Sequence, residues 1–94
     1  MLEFDVAFDV FLDPEDFDLN SEKLVECISA SAASAQLGDI HAGGEASTGL
    51  LNVGFLFTAL DLSAATNTAY NLLLGAIKTS GIKAEIRNQT AIAV

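Results

Sequence analysis

Residues Leu2 to Asp13, LEFDVAFDVFLD, alternate almost perfectly, with Ala7 and Phe11 the two apolar residues on the acidic side. Leu2, Phe4, Val6, Phe8, Val10 and Leu12 fall on one side; Glu3, Asp5, Ala7, Asp9, Phe11 and Asp13 fall on the other. Successive side chains of an extended chain point to opposite faces, so a period of two over this length predicts a half-buried strand. Such a strand needs neighbours in a sheet and a layer packed on its apolar side. The remainder of the chain is read from that need.

DPEDFDLN (13–20) interrupts the strand with Pro14 and several helix-capping side chains. The spacing after Asn20 is helical. Leu24, Val25, Ile28 and Ala32 share a stripe with Cys27 at its edge, Asp18 or Asn20 is the expected cap, and Glu22 falls in the first turn. SASAASAQ (29–36) reads either as the end of this helix or as an extended lead-in, with Gly38 as the limit. A short second strand is expected near residues 37–42, then a loop at Gly43 and Gly44. GLLNVGFLFTAL (49–60) is a strand whose Leu51, Val53, Phe55, Phe57 and Ala59 face the core, with Leu50, Asn52, Gly54, Leu56, Thr58 and Leu60 facing away.

A second helix follows, capped by Asp61 or Ser63. It buries Ala65, Ala69, Leu72, Leu73, Ala76 and Ile77, carries Lys78 in its last turn and stops at Gly81. IKAEIRNQTAIAV (82–94) closes the chain as a strand, alternating Ile82, Ala84 and Ile86 against Lys83, Glu85 and Arg87. The order βαββαβ implies a ferredoxin-like α+β fold: one domain, residues 1–94, with a four-stranded antiparallel sheet and two helices on one face. The last strand then lies beside the first, and Lys83 and Arg87 are expected next to Glu3, Asp5 and Asp9.

Charge narrows the functions. Residues 1–45 hold eleven of the thirteen acids against Lys23 alone, whereas 46–94 hold Asp61 and Glu85 against Lys78, Lys83 and Arg87. A chain of net charge −9 repels phosphate backbones, so nucleic acid is not an expected partner. One cysteine rules out an intrachain disulfide, no stretch reaches the ~20 apolar residues of a spanning helix, and the acidic N-terminus lacks the basic start of a secretion signal. A cytoplasmic protein without membrane partners is expected.

No motif carries an obvious reaction. Asp16, Asp18 and Asn20 match the first ligands of an EF-hand loop, but Ser21 stands where its glycine belongs and Cys27 where its bidentate glutamate belongs. Asp39 and His41 with Ser47 or Thr48 can be written as a triad, yet nothing in the sequence orients them. Cys27 lies beside Glu26, which disfavours a thiolate. Gly38, Gly43, Gly44 and Gly49 lack phosphate-loop spacing. No cofactor, no metal and no enzymatic activity are expected.

Three functions remain. The first is a non-enzymatic interaction module that forms a homodimer through its open sheet face, where Ala7, Phe11, Leu50, Leu56 and Leu60 are apolar. The second is an acidic antagonist that presents Asp13, Glu15, Asp16, Asp18, Glu22 and Glu26 to a basic protein partner. The third is a regulatory domain that binds a small metabolite at a dimer edge near Gly38–Gly49.

Overall fold

The computed structural model describes residues 2–30 and 37–94, without the side chains of residues 37 and 39. The elements are β1 (Leu2–Leu12), α1 (Phe17–Ser29), β2 (Leu37–Glu45), β3 (Leu50–Ala59), α2 (Leu62–Ser80) and β4 (Ala84–Ala93). The strands form one sheet in the order β2-β3-β1-β4, with every neighbouring pair antiparallel. This is the ferredoxin-like arrangement expected from the sequence. Among the described helices none is long and apolar enough to cross a membrane.

The core lies between the sheet and the helices. Phe4, Val6, Phe8, Val10 and Leu12 of β1 are buried, as are Leu51, Val53, Phe55, Phe57 and Ala59 of β3. Phe8 and Phe55 meet with ring centroids 6.0 Å apart, and Phe55 meets Phe57 at 6.3 Å. Leu24 and Ile28 from α1 close one half of this layer; Ala65, Ala69, Leu72, Leu73 and Ala76 from α2 close the other. Burial of each large apolar side chain contributes about 1.5–3 kcal/mol against exposure. Ile77 is only half-buried. Leu2, at the start of β1, has turned to solvent.

Several boundaries depart from the expectation. α1 begins at Phe17, so Asp18 and Asn20 lie inside it and Glu22 has left its first turn; Asp16 occupies the cap position with φ 62° and makes no side-chain capping bond. Burial decides this: Phe17 is a core residue and draws the first turn down onto the sheet. β2 runs to Glu45, so Gly43 and Gly44 are strand residues rather than a loop. A Cβ at Gly44 would overlap the Leu50 carbonyl oxygen and stand 2.9 Å from Phe17 Cζ. The glycine leaves room for the ring that anchors α1. Ala32, assigned to the α1 stripe, lies outside the described residues. α2 is capped at Asp61, whose Oδ1 accepts from the Ala64 N–H at 2.8 Å, and ends at Gly81 with φ 73°.

β1 and β4 are neighbours, but the charges expected to join them do not meet. Antiparallel pairing puts Phe11 opposite Glu85 and Leu12 opposite Ala84, while Asp5 faces Ile92. Lys83 therefore lies at the far end of β1 from Glu3 and Asp5. Arg87 pairs with Glu85 of its own strand at 3.2 Å and lies over the Phe11 ring, 4.5 Å from its centroid.

Candidate functional site

The register break between β1 and β4 creates an organised polar group on the open face of the sheet. Val10 faces Ile86 and the next residue back, Asp9, faces Asn88, so Arg87 is an extra residue bulged out of the ladder. The bulge changes the phase of β4. Ile86 points to the core, Asn88 and Thr90 share the open face with Asp9 and Ala7, and Gln89 turns to the helix side, where its Nε2 donates to the Thr66 carbonyl at 2.9 Å. On the other flank of β1, Asn52 of β3 faces Asp9.

The Asp9 carboxylate is consequently clasped from two strands. Asn52 Nδ2 donates to Oδ1, and Asn88 Nδ2 donates to Oδ2 at 3.1 Å. Both donors are neutral, so they fix the orientation of the carboxylate without cancelling its charge. Beside the clasp is a hollow of about 250 Å³, lined by Ala7, Asp9, Asn52, Asn88 and Thr90. Ala7 makes the hollow possible: a larger side chain between Asp5 and Asp9 would fill it.

A second group occupies the next cross-strand row, His41–Gly54–Ala7–Thr90. His41, from the outer strand β2, lays its ring over Gly54; a Cβ at position 54 would overlap Cε1 and come within 2.6 Å of Nε2. The absent side chain lets the imidazole reach across β3 toward β1, where Nε2 stands 3.8 Å from Asp5 Oδ1. That separation is too long for a hydrogen bond. Asp5 Oδ1 is shielded from solvent and, among the described residues, has no other partner, although the rest of its side chain is half-exposed. Buried acceptors without a partner are uncommon in folded proteins.

The residues singled out in the sequence are distributed differently. Of the five assigned to self-association, Ala7 floors the hollow, Phe11 lies under Arg87, and Leu50 and Leu56 are half-buried in the sheet. Leu60 lies beyond β3 and is 73% exposed, off the sheet face. Asp13, Glu15, Asp16, Asp18, Glu22 and Glu26 are all exposed, spread from the loop before α1 to its last turn; Asp13 Oδ1 accepts from the Glu15 N–H at 3.0 Å. Among the described residues no three His, Cys, Asp or Glu side chains cluster as a metal site. The proposed triad is not assembled: Ser47 and Thr48 bond to Glu45, His41 turns toward Asp5, and the Asp39 side chain is outside the description. Asn52, Asn88 and Thr90 went unnoticed as site residues. One signal was available, since Ile86 and Ala91 cannot both face the core of an unbroken strand.

The sequence matches no protein-family profile and no curated protein. A solved structure from Chloroflexus aurantiacus J-10-fl, provisionally named an antibiotic biosynthesis monooxygenase, superposes with a TM-score of 0.63 over 98% of this chain and 92% of its own, at 13% identity. The likeness shows the shared ferredoxin-like fold. It also corrects two expectations. The absence of a familiar catalytic signature supported a non-enzymatic module, yet the same fold, nearly end to end, is that of a protein named for an enzymatic activity. The reading of the chain as a self-associating interaction module falls with it; the open face carries instead a hollow over Ala7 with an oriented carboxylate.

Proposed function

We propose that this chain is a small-molecule-binding ferredoxin-like domain whose ligand sits on the open sheet face, in the hollow over Ala7. Asp9 carries the reading. A surface carboxylate gains little from being held by two amide side chains, but a binding group gains orientation, which is what preorganised sites require. The volume of the hollow, about 250 Å³, is just below the usual 300–1,000 Å³ of ligand pockets and suits a single ring or a short chain. The resemblance to a protein named as a monooxygenase supports an enzymatic role, and oxygen-dependent turnover is the reaction class to test first. His41 supplies an imidazole one row from the hollow, within reach of a ligand that extends past Ala7. The expected cytoplasmic location and homodimer accompany this reading as proposals for fractionation and for solution mass.

The test is a titration of the isotopically labelled chain with single-ring compounds bearing hydroxyl, amine or carboxylate groups, followed by backbone and side-chain amide spectra. Shifts centred on Ala7, Asn52, Asn88 and Thr90 are expected, with oxygen uptake measured on each compound that binds. Shifts confined to other surfaces, or none with any compound, would remove the site.

A further inference from the structure

We propose that the ligand of the open-face hollow is a small organic amine, bound as its cation with the ammonium group against Asp9 and its hydrocarbon part on Ala7. The inference rests on the reading of that face as a small-molecule site and names the class of molecule it takes.

Acceptor capacity and charge both point this way. A carboxylate accepts about four hydrogen bonds. The amides of Asn52 and Asn88 take one position on each oxygen of Asp9 and leave the others open beside the hollow. Asp5 lies on the same outward row, two residues beyond Ala7, or roughly 7 Å along the strand. Its Oδ1 is shielded from solvent and Asp5 does not line the hollow, so Asp5 adds negative charge nearby rather than a bonding position. The Asn52 and Asn88 amides each keep a second N–H and Thr90 its hydroxyl, so neutral donors and acceptors are both on offer, and it is the charge of Asp9 that selects among ligands.

Counter-charge is missing as well. Among the described residues, Arg87 is the cation nearest on β4, and it is turned away onto Phe11 and Glu85. Lys23 and Lys78 belong to the helices, and Lys83 precedes β4. His41 approaches Asp5 rather than Asp9. An anionic ligand would meet Asp5 and Asp9 unscreened, and a neutral donor would bond to the carboxylate but leave its charge unbalanced. An ammonium makes the bond and supplies the missing counter-charge as well. Ala7 and the aliphatic part of Thr90 give its hydrocarbon a small apolar seat.

The test uses the full chain and three matched probes: benzylamine, benzyl alcohol and benzoate. Each is titrated at constant ionic strength while the side-chain amides of Asn52 and Asn88 are followed by NMR. Benzylamine is expected to shift both amides and to bind about tenfold more tightly than benzyl alcohol, about 1.4 kcal/mol; benzoate is expected to leave them unmoved. Asp9→Asn should erase the preference for the amine. Asp18→Asn, which removes an exposed charge on α1, should keep it. Asn88→Ala, which frees one oxygen of Asp9 but loosens its orientation, should weaken amine binding less than Asp9→Asn and serves if that variant does not fold. Equal binding of amine and alcohol at the hollow would overturn the amine assignment and leave the site reading intact. Equal loss in Asp9→Asn and Asp18→Asn would mean diffuse attraction to an acidic chain, which also overturns it. If no probe moves the two amides, the site reading itself fails.

Discussion

Gly54→Ala is expected to displace His41 while leaving stability nearly unchanged, whereas Gly44→Ala is expected to destabilise the fold. The difference lies in which atoms the new methyl group meets. At position 54 the three nearest atoms all belong to the His41 ring, with Nε2 at 2.6 Å and Nδ1 at 3.0 Å. That side chain is 61% exposed on an outer strand and can swing into solvent. Its partial contact with Asp5, an exposed pair beyond bonding distance, is worth at most ~1 kcal/mol. Replacing glycine in a strand regains about 0.5–1 kcal/mol of backbone entropy, so the two effects nearly cancel. At position 44 the methyl group meets backbone: it overlaps the Leu50 carbonyl oxygen and stands 3.1 Å from Leu51 Cα. Relief would require β2 to part from β3 or Phe17 to leave the core, a loss of about 2 kcal/mol or more from Phe17 alone. Urea denaturation of both variants decides the matter. At a slope of about 1–2 kcal/mol/M, Gly54→Ala should move the midpoint by under about 1 M and Gly44→Ala by about 1 M or more downward. In the first variant, nuclear Overhauser contacts between the imidazole and residue 54 should vanish. If Gly54→Ala were the more destabilising, or if His41 kept its place over a methyl group, the reasoning would be refuted.

Asp61→Ala removes the acceptor for the Ala64 N–H at the start of α2; a loss of about 1 kcal/mol is expected in thermal denaturation, with faster amide exchange confined to the first turn. Leu73→Ala, at a position with no exposure, should cost about 2–5 kcal/mol by denaturant titration. Gln89→Ala breaks the tie from β4 to the Thr66 carbonyl and should cost about 0.5–1.5 kcal/mol, with exchange protection lost at the β4–α2 contact.

What could be read from the chain followed from period and burial. The alternation in β1 and β3 and the stripe of α2 each express one dominant force, the removal of a continuous apolar face from water. They located the core and the topology. β2 was legible only as far as residue 42 because LGDIHAGGE has no hydrophobic period and Ile40 is its one β-branched residue; the extended form of its glycines is imposed by β3 on one edge and by Phe17 against Gly44. The βαββαβ order placed β4 beside β1 correctly, but the charge pairing expected to follow from it fails, because antiparallel register carries Lys83 away from Glu3 and Asp5. The site was the least legible part. Asp9 and Asn88 are separated by 79 positions, and they meet only after the register of three strands and one bulge is known.

The bulge itself can be tested by deletion, because two neighbouring deletions give the same backbone and different sites. Without Arg87, Ile86 stays opposite Val10 and Asn88 steps into the regular position opposite Asp9; everything downstream keeps its face. Without Asn88, the ladder is equally regular, but Arg87 takes that position and Gln89 still faces α2. Both chains should fold with the Gln89–Thr66 contact in place. Deletion of Arg87 removes its pair with Glu85 and its stacking on Phe11, together about 1 kcal/mol at an exposed position. Only the second deletion replaces a neutral amide with a guanidinium against the Asp9 carboxylate, and it should abolish binding in the hollow while the first retains it. A chain that tolerates neither deletion would show that the bulge sets the twist of the whole sheet rather than the placement of Asn88. Binding kept in both would remove Asp9 from the site.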